Sequence, residues 1–134
     1  MLRSASGHDR IMLRPIETER DAHALIHGAL IGEALEDGPV AVLVFDENGR
    51  YLAVNRYACE LLGYDRAELL QRRIGELSVR EHAVDFYLQA IRTGRAATTE
   101  VRRKDGSTIR LRFRATATRV AGMPVFVGIA EPLR

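Results

Sequence analysis

Tryptophan is absent from this chain of 134 residues, cysteine occurs once, and Lys104 is the only lysine among 20 basic side chains. A lone cysteine excludes an internal disulfide framework and suits a reducing cytoplasm, which is the expected location. Long apolar runs are missing as well. None approaches the roughly 20 residues of a membrane-spanning helix, and Met1 to Leu13 has no apolar segment of secretory-signal type. Charge of one sign is not in excess. A net charge of +2 and a pI near 9.0 are too mild to argue for a nucleic-acid partner. The preference for arginine over lysine carries no functional meaning. No glycine-rich phosphate loop, serine–histidine–acid order or pair of carboxylates on an apolar face appears, so nothing marks an enzyme and none is expected.

What is present suits a globular protein. Hydrophobic residues make up 46% and charged residues 28% of the chain, enough for one domain with its own core. Residues 1–16 show no clear period and read as a tail. Residues 17–38 read as one helix, with Glu17, Glu19 and Asp21 at its positive N-terminal end and Gly38-Pro39 ending it. Ala22, Leu25, Ile26, Ala29 and Leu30 fall on one face of that helix. Such a stripe either packs on its own domain or joins two copies, and a homodimer is the expectation.

The most informative stretch runs from Phe45 to Tyr64. An apolar strand, Val40 to Phe45, enters the hairpin signal Asn48-Gly49, and a short strand, Tyr51 to Val54, leaves it. Asn55 stands at a helix N-cap, where its side-chain carbonyl can accept from a free first-turn N–H. Ala58, Leu61 and Leu62 form the apolar stripe of that helix, and Gly63 stops it. Asp65-Arg66-Ala67-Glu68 opens another short helix with a capping-box pattern. Ser78 and Glu81 have the same spacing and predict a longer helix through Arg92, with Val84, Tyr87, Leu88 and Ile91 facing the core.

Three strands follow, at about Ala97 to Arg103, Thr108 to Val120 and Val125 to Ala130. The turn between the first two can be tested for register. A two-residue loop would pair Val101 with Arg110, mixing an apolar and a charged side chain on one face. A three-residue loop, Lys104 to Gly106, pairs Val101 with Ile109 and Glu100 with Arg110. Ile109, Leu111 and Phe113 then share the inner face, while Arg110, Arg112 and Arg114 share the outer one. Register follows the buried face, so the second is predicted, with Gly106 left-handed.

Asp46, Gly49, Asn55, the run Glu60-Leu61-Leu62-Gly63-Tyr64 and the turn Lys104-Asp105-Gly106-Ser107 stand in an order and spacing that resemble a PAS domain, a sensory and interaction module. The resemblance covers Leu35 to Glu131, and residues 39–131 are taken as the core, with 132–134 as its C-terminal end. It implies an α+β fold: a five-stranded antiparallel sheet with helices over one face. It also implies a sensory or regulatory function, exercised by holding a small ligand between sheet and helices or by dimerising. The inward candidates are Leu62, Leu70, Ile74, Val84, Tyr87, Leu88, Ile91, Leu111, Phe113, Val127 and Ile129. This wall is largely aliphatic and suits an apolar or amphipathic guest such as a fatty acid, unless the same residues simply fill a packed core. A ligand-free interaction module is the alternative. The resemblance also implies an effector domain or partner protein, although Glu131-Pro132-Leu133 replaces the Asp-Ile-Thr with which such domains often finish.

Cofactor chemistry finds little support in the residues. His23 and His27 are one turn apart, but Ala24 stands where a zinc protease would carry its general-base Glu. In the light-sensing flavin branch of the family a reactive Cys follows the Gly-Tyr helix end; here that place reads Arg72-Arg73-Ile74-Gly75, and Cys59 lies earlier. The resemblance implies that a haem ligand would be a His on the long helix facing the pocket; the helical period sets His82 nearly opposite the apolar stripe, and Val84 holds the inward position. Neither haem nor flavin is expected.

Overall fold

The structure, a computed structural model, describes residues 19–133. The chain divides into two compact units between Glu33 and Ala34. The first contributes most of α1 (Glu19–Glu36). Its apolar side chains are open to solvent: Leu25 and Leu30 are each 61% exposed, and Ile26 and Ile31 are exposed as well. The proposed tail, and Glu17 at the expected helix start, lie outside the described residues.

The second unit is built from the last turn of α1 onward. It comprises β1 (Ala41–Phe45), β2 (Tyr51–Val54), α2 (Arg56–Leu62), α3 (Arg66–Leu69), α4 (Ala83–Thr93), β3 (Ala97–Arg102), β4 (Thr108–Val120) and β5 (Met123–Pro132). The strands form one antiparallel sheet in the order β2-β1-β5-β4-β3. Ala41, Val54, Val101, Leu111 and Ala130 of the strands pack with Ala58, Leu62 and Leu69 of α2 and α3 into one core. The five-stranded α+β architecture expected from the sequence is therefore the one observed.

Local signals explain most element ends. Asn55 is buried, and its Oδ1 accepts from the N–H groups of Ala58 and Val42 at 3.1 and 2.9 Å. Its Nδ2 donates to the carbonyls of Leu35 and Val40 at 2.7 and 2.9 Å. One side chain thus caps α2 and ties it to β1 and to the segment before it. Gly63 closes α2 in the left-handed region, φ 80°. Asp65 and Glu68 form the full capping box of α3. The β1–β2 connection is a three-residue loop, with Asp46 Oδ1 accepting from Asn48 and Arg50 N–H groups. Gly49 there has φ 82°, and a Cβ would lie 2.7 Å from Ile74 Cγ2, so only glycine fits.

The β3–β4 hairpin has the predicted register, with Glu100 opposite Arg110 and Val101 opposite Ile109. Lys104 to Gly106 form its loop, and Gly106 has φ 92°. Arg110, Arg112 and Arg114 are exposed on the outer face as expected. Arg114 donates through Nε to the Gly94 carbonyl at 2.9 Å.

Three expectations are corrected. The long helix does not begin after Ser78 but at Ala83, preceded by a left-handed His82 with no side-chain cap. Residues 77–79 instead pair with β3: Val79 N–H donates to Glu100 O at 3.0 Å, and Arg102 N–H donates to Leu77 O at 2.8 Å. That pairing satisfies backbone groups at the edge of the sheet which a helix there would leave open. The helix also presents a different face. Val84 is 52% and Leu88 44% exposed, while Ala83, Tyr87 and Ala90 are buried. Tyr87 decides this: its ring packs on Phe113 with centroids 4.9 Å apart, and its hydroxyl bonds Thr99 at 3.2 Å. The third correction is in β5, where Val127 and Ile129 do not point inward. Pairing sets Ile129 opposite Arg114 and Val42, and Val127 opposite Thr116 and Val44, on the outer face. Phe126, Gly128 and Ala130 take the inner positions. Phe45 Cε1 already lies 3.6 Å from where a Gly128 Cβ would stand, so bulky aliphatic side chains are placed outside.

Candidate functional site

A cavity of about 80 Å3 lies between the inner face of the sheet and the segment from Ile74 through α4. Its floor comes from alternate residues of the strands: Ala41, Leu43 and Phe45 of β1, Thr99 and Val101 of β3, Leu111, Phe113 and Ala115 of β4, and Gly128 and Ala130 of β5. The period of two in an extended chain brings these residues to one side. Leu61 and Leu62 of α2, Ile74, Leu77 and Ser78 of the connecting segment, and Tyr87 and Ile91 of α4 complete the wall, with Tyr51 of β2 at the end of the sheet. Two larger recesses, about 620 and 590 Å3, are open surface grooves with mixed charges. The smaller space is the better site because it is walled on the sheet side and the helix side by apolar groups.

Aromatic rings narrow this space. Phe113 meets both Phe86 and Tyr87, and Phe45 stacks on Phe126 at 5.4 Å and meets the edge of Tyr51 at 6.2 Å. Arg80 covers the outer side of the cluster, its guanidinium 3.8 Å from the centroid of Phe86.

No wall residue is charged; the polar groups are hydroxyls. Tyr87 and Thr99 bond each other. Burial raises the Tyr87 pKa, and the Thr99 and Ser78 hydroxyls offset part of that rise. Burial also raises the Tyr51 pKa far above the usual phenol value, with the Tyr87 and Glu76 charges adding to it. Both phenols therefore stay protonated across the physiological range.

Of the residues expected from sequence, Leu62, Ile74, Tyr87, Ile91, Leu111 and Phe113 are brought together in the wall. Ile129 borders it too, but its side chain is 46% exposed on the outer face, so it contributes backbone between Gly128 and Ala130. Leu70 caps the end of α3 away from the cavity, and Val84, Leu88 and Val127 do not line it. Tyr51, Ser78 and Thr99 were not among the expected site residues. Thr99 had a visible signal, since it lies two residues from the inward Val101. Tyr51 had none, because a register shift between Val44 and Phe45 alters the alternation where β2 pairs with β1.

The residues weighed for cofactor chemistry lie elsewhere. His82 is exposed, and Cys59 packs against the core outside the cavity wall, its thiol pKa raised by burial. His23 and His27 are exposed on α1, and among the described residues no group of three or more His, Cys, Asp or Glu side chains gathers as a metal site would. No helix among the described residues is long and apolar enough to cross a membrane.

A family model of the PAS domain matches residues 39–131. The PAS domain of an HTR-like protein from Haloarcula marismortui is 26% identical, covering 87% of this chain and 100% of that one, with a TM-score of 0.69. A domain of a sensory box sensor histidine kinase/response regulator from Geobacter sulfurreducens is 24% identical over 81% of this chain and 96% of that one, also with a TM-score of 0.69. An RNA-binding light-oxygen-voltage receptor is 26% identical, covering 88% of this chain but 36% of the receptor, with a TM-score of 0.66. No curated protein matches the chain. The chain belongs to the PAS domain family, and its class of function is sensory and signalling.

Proposed function

We propose that this PAS domain senses a small apolar or amphipathic molecule held between sheet and helices, and that it works as a homodimer. The cavity walled by Tyr87, Ile91, Leu111 and Phe113 carries the ligand reading. An apolar wall with a few placed hydroxyls is the usual composition of a small-molecule site. A fatty acid is one amphipathic guest of this class. Haem and flavin are left out of the proposal: the wall has no histidine, and the lone thiol, Cys59, stands outside it. The light chemistry and RNA binding named for the receptor above are likewise not transferred.

The dimer reading rests on α1, whose Leu25, Ile26, Leu30 and Ile31 are each about half or more exposed. Contiguous apolar surface of this kind is costly to leave in water and suits a matching copy. A partner protein or effector domain would then read the state of the dimer.

A ligand-free interaction module is the second reading, favoured by the size of the cavity. At about 80 Å3 it is far below the ~300–1,000 Å3 of ordinary ligand pockets. Mass spectrometry of the full chain, native and then denatured, separates the two. The sensor reading expects a dimer that releases a small molecule on denaturation. A bare chain recovered from cells, with no guest taken up afterwards, sinks it and leaves the interaction module. Replacing Leu25 and Leu30 together by Glu should give a monomer in analytical ultracentrifugation; an unchanged dimer removes α1 from the interface.

A further inference from the structure

We infer that the cavity takes a small uncharged molecule bearing a carbonyl oxygen, with the Tyr51 hydroxyl as its hydrogen-bond donor; this rests on the ligand reading above and narrows its chemistry. No Lys, Arg or His side chain belongs to the wall, so a carboxylate inside it would be stripped of water with no counter-charge. Neutral groups escape that penalty. A fatty acid is thus disfavoured inside the cavity by its head group, and a long tail exceeds the space of about 80 Å3.

The hydroxyls then select among neutral guests. Tyr87 and Thr99 already satisfy each other at 3.2 Å. Tyr51 lies in the wall against Phe45, partly buried, and no hydrogen bond of its hydroxyl occurs among the described residues, where the fully buried side-chain polar atom without a partner is Arg103 Nε instead. A phenol in the wall that is not engaged elsewhere offers an O–H donor to whatever enters. Because the phenol stays protonated, it meets an acceptor best, and a carbonyl oxygen is the acceptor that brings no charge. Size sets the other limit. The space is about half of the ~150 Å3 engineered cavity that admits benzene, so the guest has only a handful of heavy atoms.

Three probes of similar size test this on the full chain by heteronuclear NMR at neutral pH: butanone, propanoate and xenon under pressure. Butanone should shift resonances of Ile91, Leu111 and Ala130 saturably, at concentrations about tenfold below any effect of propanoate. Tyr51→Phe should weaken butanone about fivefold, the worth of one neutral hydrogen bond, and leave xenon uptake unchanged. If xenon enters but butanone binds no better than propanoate, or Tyr51→Phe leaves butanone unaffected, the inference is overturned while the cavity reading stands. If neither xenon nor butanone enters, the cavity reading fails and the inference with it.

Discussion

The pair α2–α3 and the single helix α4 are positioned by different physics. α2 and α3 are short, and each starts on a side chain that satisfies free N–H groups: Asn55 for the first, Asp65 with Glu68 for the second. α4 is longer and starts on a left-handed His82 that provides no such bond. Its beginning is fixed by residues 77–79 joining β3, and its rotation by Tyr87 reaching Thr99 and Phe113. A helix bounded by local caps can be placed from a few residues of sequence. A helix placed by its neighbours cannot.

The strongest way to sharpen this contrast is Asn55→Ala. It removes four hydrogen bonds at a buried position and leaves the Val42 N–H and two carbonyls without that partner. A loss of about 3 kcal/mol is expected in urea unfolding; a loss under about 1 kcal/mol would show that water or backbone movement replaces the side chain. Asp65→Ala opens the capping box of an exposed helix and should cost about 1 kcal/mol by the same measurement. At α4 the sign reverses. His82→Gly relieves a left-handed backbone and removes no capping bond, so it should raise stability by about 0.5 kcal/mol. A decrease in the melting temperature would mean that the imidazole has a stabilising contact of its own. The smallest effect is expected from Leu88→Ala, which trims a 44% exposed side chain on the solvent face and should change stability by less than about 0.5 kcal/mol. A loss of about 2 kcal/mol or more, of the kind expected for a core leucine, would return Leu88 to the interior.

The same division runs through the candidate site. Leu111 and Phe113 were legible as wall residues because the register argument needed only to separate apolar from charged side chains. Arg110, Arg112 and Arg114 alternate with them and cannot be buried in a row. Strand β5 gave no such contrast. Val127 and Ile129 look like a buried pair beside Gly128 and Ala130, yet the rings of Phe45, Phe113 and Tyr87 already occupy the interior. Helix α4 was ambiguous in another way. The observed buried stripe, Ala83, Tyr87 and Ala90, and the expected one, Val84, Tyr87, Leu88 and Ile91, overlap at the same period, and periodicity alone does not choose between them.

Sequence by itself determined the order of elements, the hairpin turns, the caps at Asn55 and Asp65, the glycine stops and the β3–β4 register. Each of these depends on interactions among residues close in the chain or on a sharp apolar–charged alternation. Tertiary structure alone decided where α4 begins, which face it turns inward, the parity of β5 and the approach of Tyr51, Tyr87 and Thr99 around one small space. Those outcomes depend on how much volume distant rings leave to one another and on which buried hydroxyls find partners, and neither quantity exists until the sheet has closed against its helices.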